Sequence, residues 1–241
     1  TVPIIISILF LIGICIFLNK TINQFSDFVE QKKKLYSNKN DFLDLYLFIT
    51  LISVVLLTMI YNNSQFNGWR HLYFLFIPII YISASAYKKL IANNNKITET
   101  LLNFLIIITL VYNIFWIIKF HPFQNNYFNI LSKNFVQNNF DKDYWGLSNY
   151  QSIKHIINED ERREIKIATM SFADLYLSFL RFSELDKKRI KIVHNYDEAD
   201  YIINTYMKRI GNNFEINLNK FEKYHEIRVD NIIINTVYRK K

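Results

Sequence analysis

Residues 101–122 read LLNFLIIITLVYNIFWIIKFHP, and the chain changes character inside this stretch. From Leu101 to Ile118 there is no charged side chain. A helix needs about 20 apolar residues to cross a bilayer, so Leu101–Ile118 is a candidate span. From His121 onward the pattern is polar, charged and alternating. Toward the N-terminus, three more runs have the same length and apolarity: Val2–Leu18, Phe42–Tyr61 and Trp69–Tyr87. The third holds Pro78, which membrane helices tolerate and which predicts a kink. The second holds Asp44 near one end, within reach of the interface.

The averages hide this division. The chain has 241 residues, 51% hydrophobic, 17% aromatic and 21% charged, with a mean hydropathy of +0.04. Through Lys119 it carries ten Lys/Arg against five Asp/Glu; after it, nineteen against sixteen. The expected fold class is therefore a membrane α-helical part of about four transmembrane helices, residues 1–119, followed by a small α/β extracytoplasmic domain, residues 120–241.

Composition also excludes function classes. The single cysteine, Cys15, rules out an internal disulfide and leaves no thiolate metal cluster. With four glycines, neither GxGxxG nor GxxxxGK[ST] occurs. No GxSxG is present. His155, His194 and His225 lack metal-ligand spacing and read as surface or structural histidines, so no metal is expected. The net charge of +8 is better explained by membrane topology than by nucleic acid, which is not expected as a partner.

The loops carry that topology. Asn19–Asp41 holds Lys20, Lys32, Lys33, Lys34 and Lys39, and Lys88–Thr100 holds Lys88, Lys89 and Lys96. Asn62–Gly68 holds no Lys or Arg. The positive-inside rule assigns both lysine loops to the cytoplasm. The loop Asn62–His71 and everything after Lys119 then face the periplasm or the cell exterior of a bacterial inner membrane. The first run lacks a basic leader and a small-residue cleavage site, so it does not read as a signal peptide. With Thr at its start, the chain reads as the C-terminal piece of a longer membrane protein.

The tail shows helical spacing at Ile153, Ile156 and Ile157, with Ser148 as the expected cap. Strand-like alternation covers Glu164–Met170 and Arg189–His194, and Asp200–Tyr206 reads as a buried strand. Phe172–Phe182 reads as an aromatic helix. Glu226–Val229 and Ile232–Tyr238 read as a hairpin around the turn residues Asp230-Asn231. Strand order is not legible.

Three clusters on the outer side hold candidate chemistry. In Asn67-Gly68-Trp69-Arg70-His71, the planar guanidinium of Arg70 matches phosphate oxygens, with His71 beside it at a helix start. The same group also fits an interfacial anchor with Trp69 at headgroup level. His121-Pro122-Phe123-Gln124 with Tyr127-Phe128-Asn129 fits either an aromatic belt or a polar binding edge, formed by His121, Gln124, Tyr127 and Asn129. Asp141-Lys142-Asp143-Tyr144-Trp145-Gly146 offers carboxylates beside aromatics, which suits a sugar ring, or else a solvated turn with a core tryptophan.

Taken in order, NGWRH, then HPFQNNYFN, then DYWGLSNY and an α/β tail, the chain resembles the C-terminal half of GT-C fold polytopic membrane glycosyltransferases, in particular bacterial relatives of the dolichyl-phosphate-mannose–protein mannosyltransferases. The resemblance implies transfer of a hexosyl or pentosyl group from a polyprenyl-phosphate-linked donor to a glycan, lipid or protein acceptor at the outer membrane face. It implies that Arg70 and His71, with Trp69, lie near the lipid phosphate. It implies acceptor or sugar contacts for His121, Gln124, Tyr127, Asn129, Asp143, Tyr144 and Trp145. It also implies a carboxylate base in an outer loop upstream of Val2–Leu18, so no catalytic residue is assigned here and the piece alone is expected to be inactive. The alternative is a non-catalytic membrane-anchored sensor or assembly protein whose tail binds a partner. A transporter is the weakest reading, because the spans hold few ionisable groups and no Gly/Pro-broken pair.

Overall fold

An apolar run of span length must satisfy its backbone N–H and C=O groups within itself, and a helix does so. The computed structural model describes residues 2–30, 39–61, 72–93, 96–130, 135–136, 140–207 and 216–241. It contains α1 (Ile4–Val29), α2 (Lys39–Ile60), α3 (Phe76–Asn93) and α4 (Lys96–Lys119), with a 3-10 turn, Tyr73–Leu75, leading into α3. All four apolar segments are long and apolar enough to cross a membrane.

The first span was read as Val2–Leu18, and the helix that carries it, α1, runs on to Val29. Residues 19–29 hold no Gly or Pro to stop it. Lys20, read as a loop lysine, is therefore helical. Its Nζ lies 2.9 Å from Asp41 Oδ1 and 2.5 Å from Asp44 Oδ2 of α2. Tyr81 of α3 donates to Asp44 Oδ1 at 2.6 Å. Pro78 falls in the first turn of α3, where its missing N–H costs little.

Close packing of α1 on α3 depends on Gly13. A Cβ there would sit 2.5 Å from Ile82 Cγ2 and 2.6 Å from the Ile82 carbonyl oxygen. Small residues at such crossings let backbones approach, and dispersion contacts replace the hydrophobic drive that lipid cannot supply. Phe17, Phe48, Leu51, Leu75, Ile79 and Ile82 fill the interior of this helical unit. Tyr87 of α3 donates to Asn103 Oδ1 of α4 at 2.6 Å.

The chain divides at Trp116 into a helical unit, Val2–Phe115, and a mixed unit, Trp116–Lys241. The second is built on five strands: β1 (Ile165–Thr169), β2 (Ile190–Ile192), β3 (Tyr201–Asn204), β4 (Phe221–Val229) and β5 (Ile232–Lys240). Their order is β2-β1-β3-β5-β4. β1 is parallel to β2 and β3, while β5 is antiparallel to both β3 and β4. The β4–β5 turn is Asp230-Asn231, both at positive φ (49° and 69°), a backbone that Asn and Asp tolerate.

Among the described residues it also contains the helices α5 (Leu147–Glu159), α6 (Tyr176–Phe179) and α7 (Glu184–Arg189). Ile153, Ile156 and Ile157 of α5 pack onto Ile165, Ile167, Ile203 and Val237 of the sheet. The other face is covered by Ala199, Phe221 and neighbouring loop side chains around Ile202 and Tyr238. The helix expected over Phe172–Phe182 is cut to Tyr176–Phe179, because the preceding segment is tied to the end of β3. Phe172 N–H donates to the Met207 carbonyl at 3.3 Å, and the Ser171 hydroxyl accepts from Thr205 N–H at 2.6 Å. The sequence reading missed α7. Ser183 caps it, accepting from Asp186 N–H at 3.2 Å and donating to Asp186 Oδ2 at 2.7 Å.

Gly13→Val forces α1 away from α3. It is expected to destabilise the helical unit by about 1–3 kcal/mol, the usual cost of overpacking, read as a lower melting temperature in detergent. An unchanged melting temperature would show that the close crossing contributes nothing.

Candidate functional site

The second cluster begins where α4 ends. Trp116, in the last turn of α4, is buried among Phe123, Phe128, Ile227, Val229, Ile232 and Ile234. Its ring lies 4.9 Å from Phe120 and meets Tyr127 edge-on at 5.0 Å. Its indole N–H donates to Asp230 Oδ2 at 3.3 Å, which ties the helix end to the β4–β5 turn. Phe123 and Phe128 thus serve the core, and Tyr127 braces Trp116. His121, joined to Pro122 by a cis bond, stays exposed. Gln124 Nε2 lies 2.7 Å from His121 Nδ1. With the amide donating, the ring keeps its proton at Nε2 and presents it outward. Asn129 is half-buried.

The third cluster builds the start of α5. Asp143 is fully buried. Its carboxylate accepts from Leu147 N–H at 3.0 Å and from Ser148 N–H at 2.7 Å, and it also accepts from the Ser148 hydroxyl. These are charge-assisted bonds to helix N–H groups that have no intrahelical partner. Asp143 is therefore the cap that was expected of Ser148. Gly146 makes this possible at φ +64°: a Cβ would meet Asn149 Nδ2 at 2.6 Å and Ala173 Cβ at 2.7 Å. Asn235 of β5 donates to Ser148 Oγ at 2.8 Å, so the polar start of α5 is locked to the sheet. Asn149 Nδ2, Ser152 Oγ and Asn235 Oδ1 are buried around it without a hydrogen-bond partner, and such groups mark places for ordered water.

Next to Asp143, Tyr144 and Trp145 form an edge-to-face pair at 4.9 Å, and Trp145 is 63% exposed. On the inner side, Lys142 is buried and its Nζ lies 4.2 Å from the centroid of the Tyr206 ring. The Tyr206 hydroxyl and Thr236 Oγ1 are 2.6 Å apart. Burial outweighs Asp141 and lowers the Lys142 ammonium to about 8. Tyr206 and Thr236 lie at the carboxyl end of β3, the sheet end that also holds the β4–β5 turn.

The opposite end of the sheet carries charges that sequence reading did not single out. Arg162 grips Asp160, with Nη2 2.7 Å from Oδ2 and Nε 3.0 Å from both oxygens, while its Nη1 reaches Asp200 at 2.9 Å. The Tyr201 hydroxyl donates to Asp160 at 3.0 Å. Hydrogen bonds from Arg162 lower the Asp160 carboxyl to about 2, and burial raises the Tyr201 phenol to about 12. These groups line a pocket of about 630 Å³ with Tyr224 and Arg239. His155 of α5 and His225 of β4, distant in sequence, stack at 3.9 Å. Burial, helped by His155, lowers the His225 imidazole.

Trp69, Arg70 and His71 lie outside the described residues. The structure thus brings the tail candidates together only in part. Asp143 is committed to the fold, Tyr127 packs half-buried against Trp116, His121 and Trp145 are exposed, and Gln124 and Tyr144 are half-buried. No family model matches the chain, and no curated protein or solved structure matches it.

Two outcomes follow from this geometry. Asp143→Ala leaves two helix N–H groups and a buried hydroxyl without their acceptor, and is expected to cost about 2–4 kcal/mol in the mixed unit, measured by denaturant unfolding. The second outcome concerns acid. Asp160 binds its proton less readily folded (about 2) than unfolded (about 3.9), so its contribution is complete above pH ~4 and is lost as pH falls toward ~2. With Arg162 half-exposed, that contribution is on the order of 1–2 kcal/mol. His225 also resists protonation when folded, so stability begins to fall earlier, below pH ~6.5. A two-step acid profile in melting temperature is expected, and His225→Phe should remove only the upper step.

Proposed function

We propose that the chain is part of an integral-membrane glycosyltransferase that moves a sugar from a polyprenyl-phosphate-linked donor to an acceptor at the outer face of the membrane. The observation that carries this reading is how the two tail motifs divide. Their buried members, Phe123, Phe128 and Asp143, hold the fold, and the residues suited to carbohydrate lie farther out, His121 and Trp145 exposed and Gln124 and Tyr144 half-buried. Trp145 offers a flat ring for stacking on a sugar face, with Tyr144 set against its edge. His121 and Gln124 offer a donor and an amide to hydroxyl groups. Four helices long and apolar enough to cross a membrane support a lipid-linked donor.

The chemistry is a displacement at the anomeric carbon. The acceptor hydroxyl oxygen forms the new bond to that carbon while its proton passes to a carboxylate base. The bond from the anomeric carbon to the phosphate oxygen breaks, and the lipid phosphate leaves with the electron pair. Arg70 and His71, by their place in the sequence, are assigned to that developing charge. Asp143 is not assigned as that base, because its oxygens are taken.

In the whole protein, Arg70→Ala is expected to lower transfer about 10²–10³-fold while the protein still inserts. Trp145→Ala is expected to lower kcat/KM for the acceptor roughly tenfold, about 1.4 kcal/mol, with little change in stability. Both are read from transfer of labelled sugar in membranes. Full activity in Arg70→Ala would remove that residue from the mechanism. A tail that captures a partner with no turnover of lipid-linked sugar would favour the anchored binding protein instead.

A further inference from the structure

The helical unit holds a second polar site, at the lysine-rich ends of α2 and α3. A pocket of about 560 Å³ opens there, lined by Asn40 and Asp44 of α2 and by Tyr81, Ala84, Ser85, Lys88, Lys89 and Ala92 of α3. Ala84, Ser85 and Ala92 have short side chains, which leaves a groove between the helices. The carboxylate in its lining is occupied: Asp44 accepts from Lys20 through Oδ2 and from Tyr81 through Oδ1, and Lys20 is shared with Asp41. Lys88 and Lys89 are exposed, and no carboxylate among the described residues lies within 4.0 Å of either. The groove thus combines two available ammonium groups, the Asn40 amide and the Ser85 hydroxyl, all able to donate. Hydrogen bonds from ammonium groups to phosphate oxygens are among the strong ones. Outside the groove, α2 presents Phe42, Leu43 and Tyr46, and α3 presents Ile80, all exposed and apolar.

A ligand that satisfies both environments carries a phosphate head and apolar tails. We propose that this groove binds the headgroup phosphate of an anionic phospholipid, held by Lys88 and Lys89 with Asn40 and Ser85 as neutral donors, on the membrane side that the lysine distribution assigns to the cytoplasm. This site is separate from the proposed outer-face transfer site, and its test does not depend on transfer activity. The Lys20–Asp44–Tyr81 cluster then has a use: it holds α1, α2 and α3 together and turns the Asp44 oxygens to their own donors, which weakens their repulsion of a phosphate.

The test uses the protein in mild detergent, exchanged with phosphatidylglycerol or with phosphatidylcholine and examined by native mass spectrometry. Wild type is expected to retain phosphatidylglycerol in preference to phosphatidylcholine. The Lys88→Gln/Lys89→Gln double variant is expected to bind phosphatidylglycerol roughly tenfold or more weakly. Lys96→Gln, a nearby lysine outside the groove, should bind as wild type does. Ser85→Phe fills the groove without changing charge and should show the same loss, which covers the case in which the lysine variants insert incorrectly. Equal retention by the double variant and by Ser85→Phe would overturn the proposal. So would equal losses in Lys96→Gln, which would show a general charge effect. Displacement of the lipid by inorganic phosphate would assign the groove to a soluble anion and overturn the lipid assignment.

Discussion

The mixed unit depends on one buried carboxylate. Asp143 has no exposure, and a carboxyl group in that position is tolerable only when its oxygens find hydrogen-bond donors. Two helix N–H groups and one hydroxyl use them. The consequence is geometric. Capping at Asp143 sets where α5 starts, and its start sets which residues face the sheet: Ile153, Ile156 and Ile157. It also goes with the left-handed turn at Gly146, and Trp145 is exposed with half-buried Tyr144 against its edge. A residue that looks like a ligand for sugar hydroxyls holds the platform instead.

A similar economy governs the helices. Lys20, Asp41, Asp44 and Tyr81 come from three different helices and meet in one network. Where water is scarce, ionisable groups persist by pairing, and pairing fixes the registers of the helices that bear them. Gly13 against Ile82 sets the distance between α1 and α3 at a second level. A polar latch at one level and a small-residue crossing at another define this packing without a large interior.

Trp116 is the point at which the two regimes meet in the chain. It is the last aromatic of an apolar helix, yet its neighbours are the aromatics of the next segment and the β4–β5 hairpin. Its N–H to Asp230 explains why HPFQNNYFN is so rich in aromatics: Phe123, Tyr127 and Phe128 wrap one indole. The residues left outside, His121 and Gln124, are few, and their bond to each other orients the imidazole. On the proposed function, this puts a small polar edge and an aromatic plate on one unit, supported by residues that take no part in chemistry.

Sequence alone determined what depends on local composition. The four apolar runs, the Asp230-Asn231 turn and the isoleucine face of α5 were legible because length, turn chemistry and periodicity are local signals. The Ser183–Asp186 capping box of α7 was equally legible and was overlooked. Tertiary structure alone decided the rest. The place of Lys20 in a packed network rather than a loop is settled by two carboxylates on α2. The shortening of α6 is settled by the end of β3, which takes the hydrogen bonds a longer helix would have used. The strand order, the stacked His155 and His225 and the inward turn of Asp143 join residues far apart in the chain. Such pairings are set by burial and charge satisfaction across the fold, and no local pattern of residues encodes them.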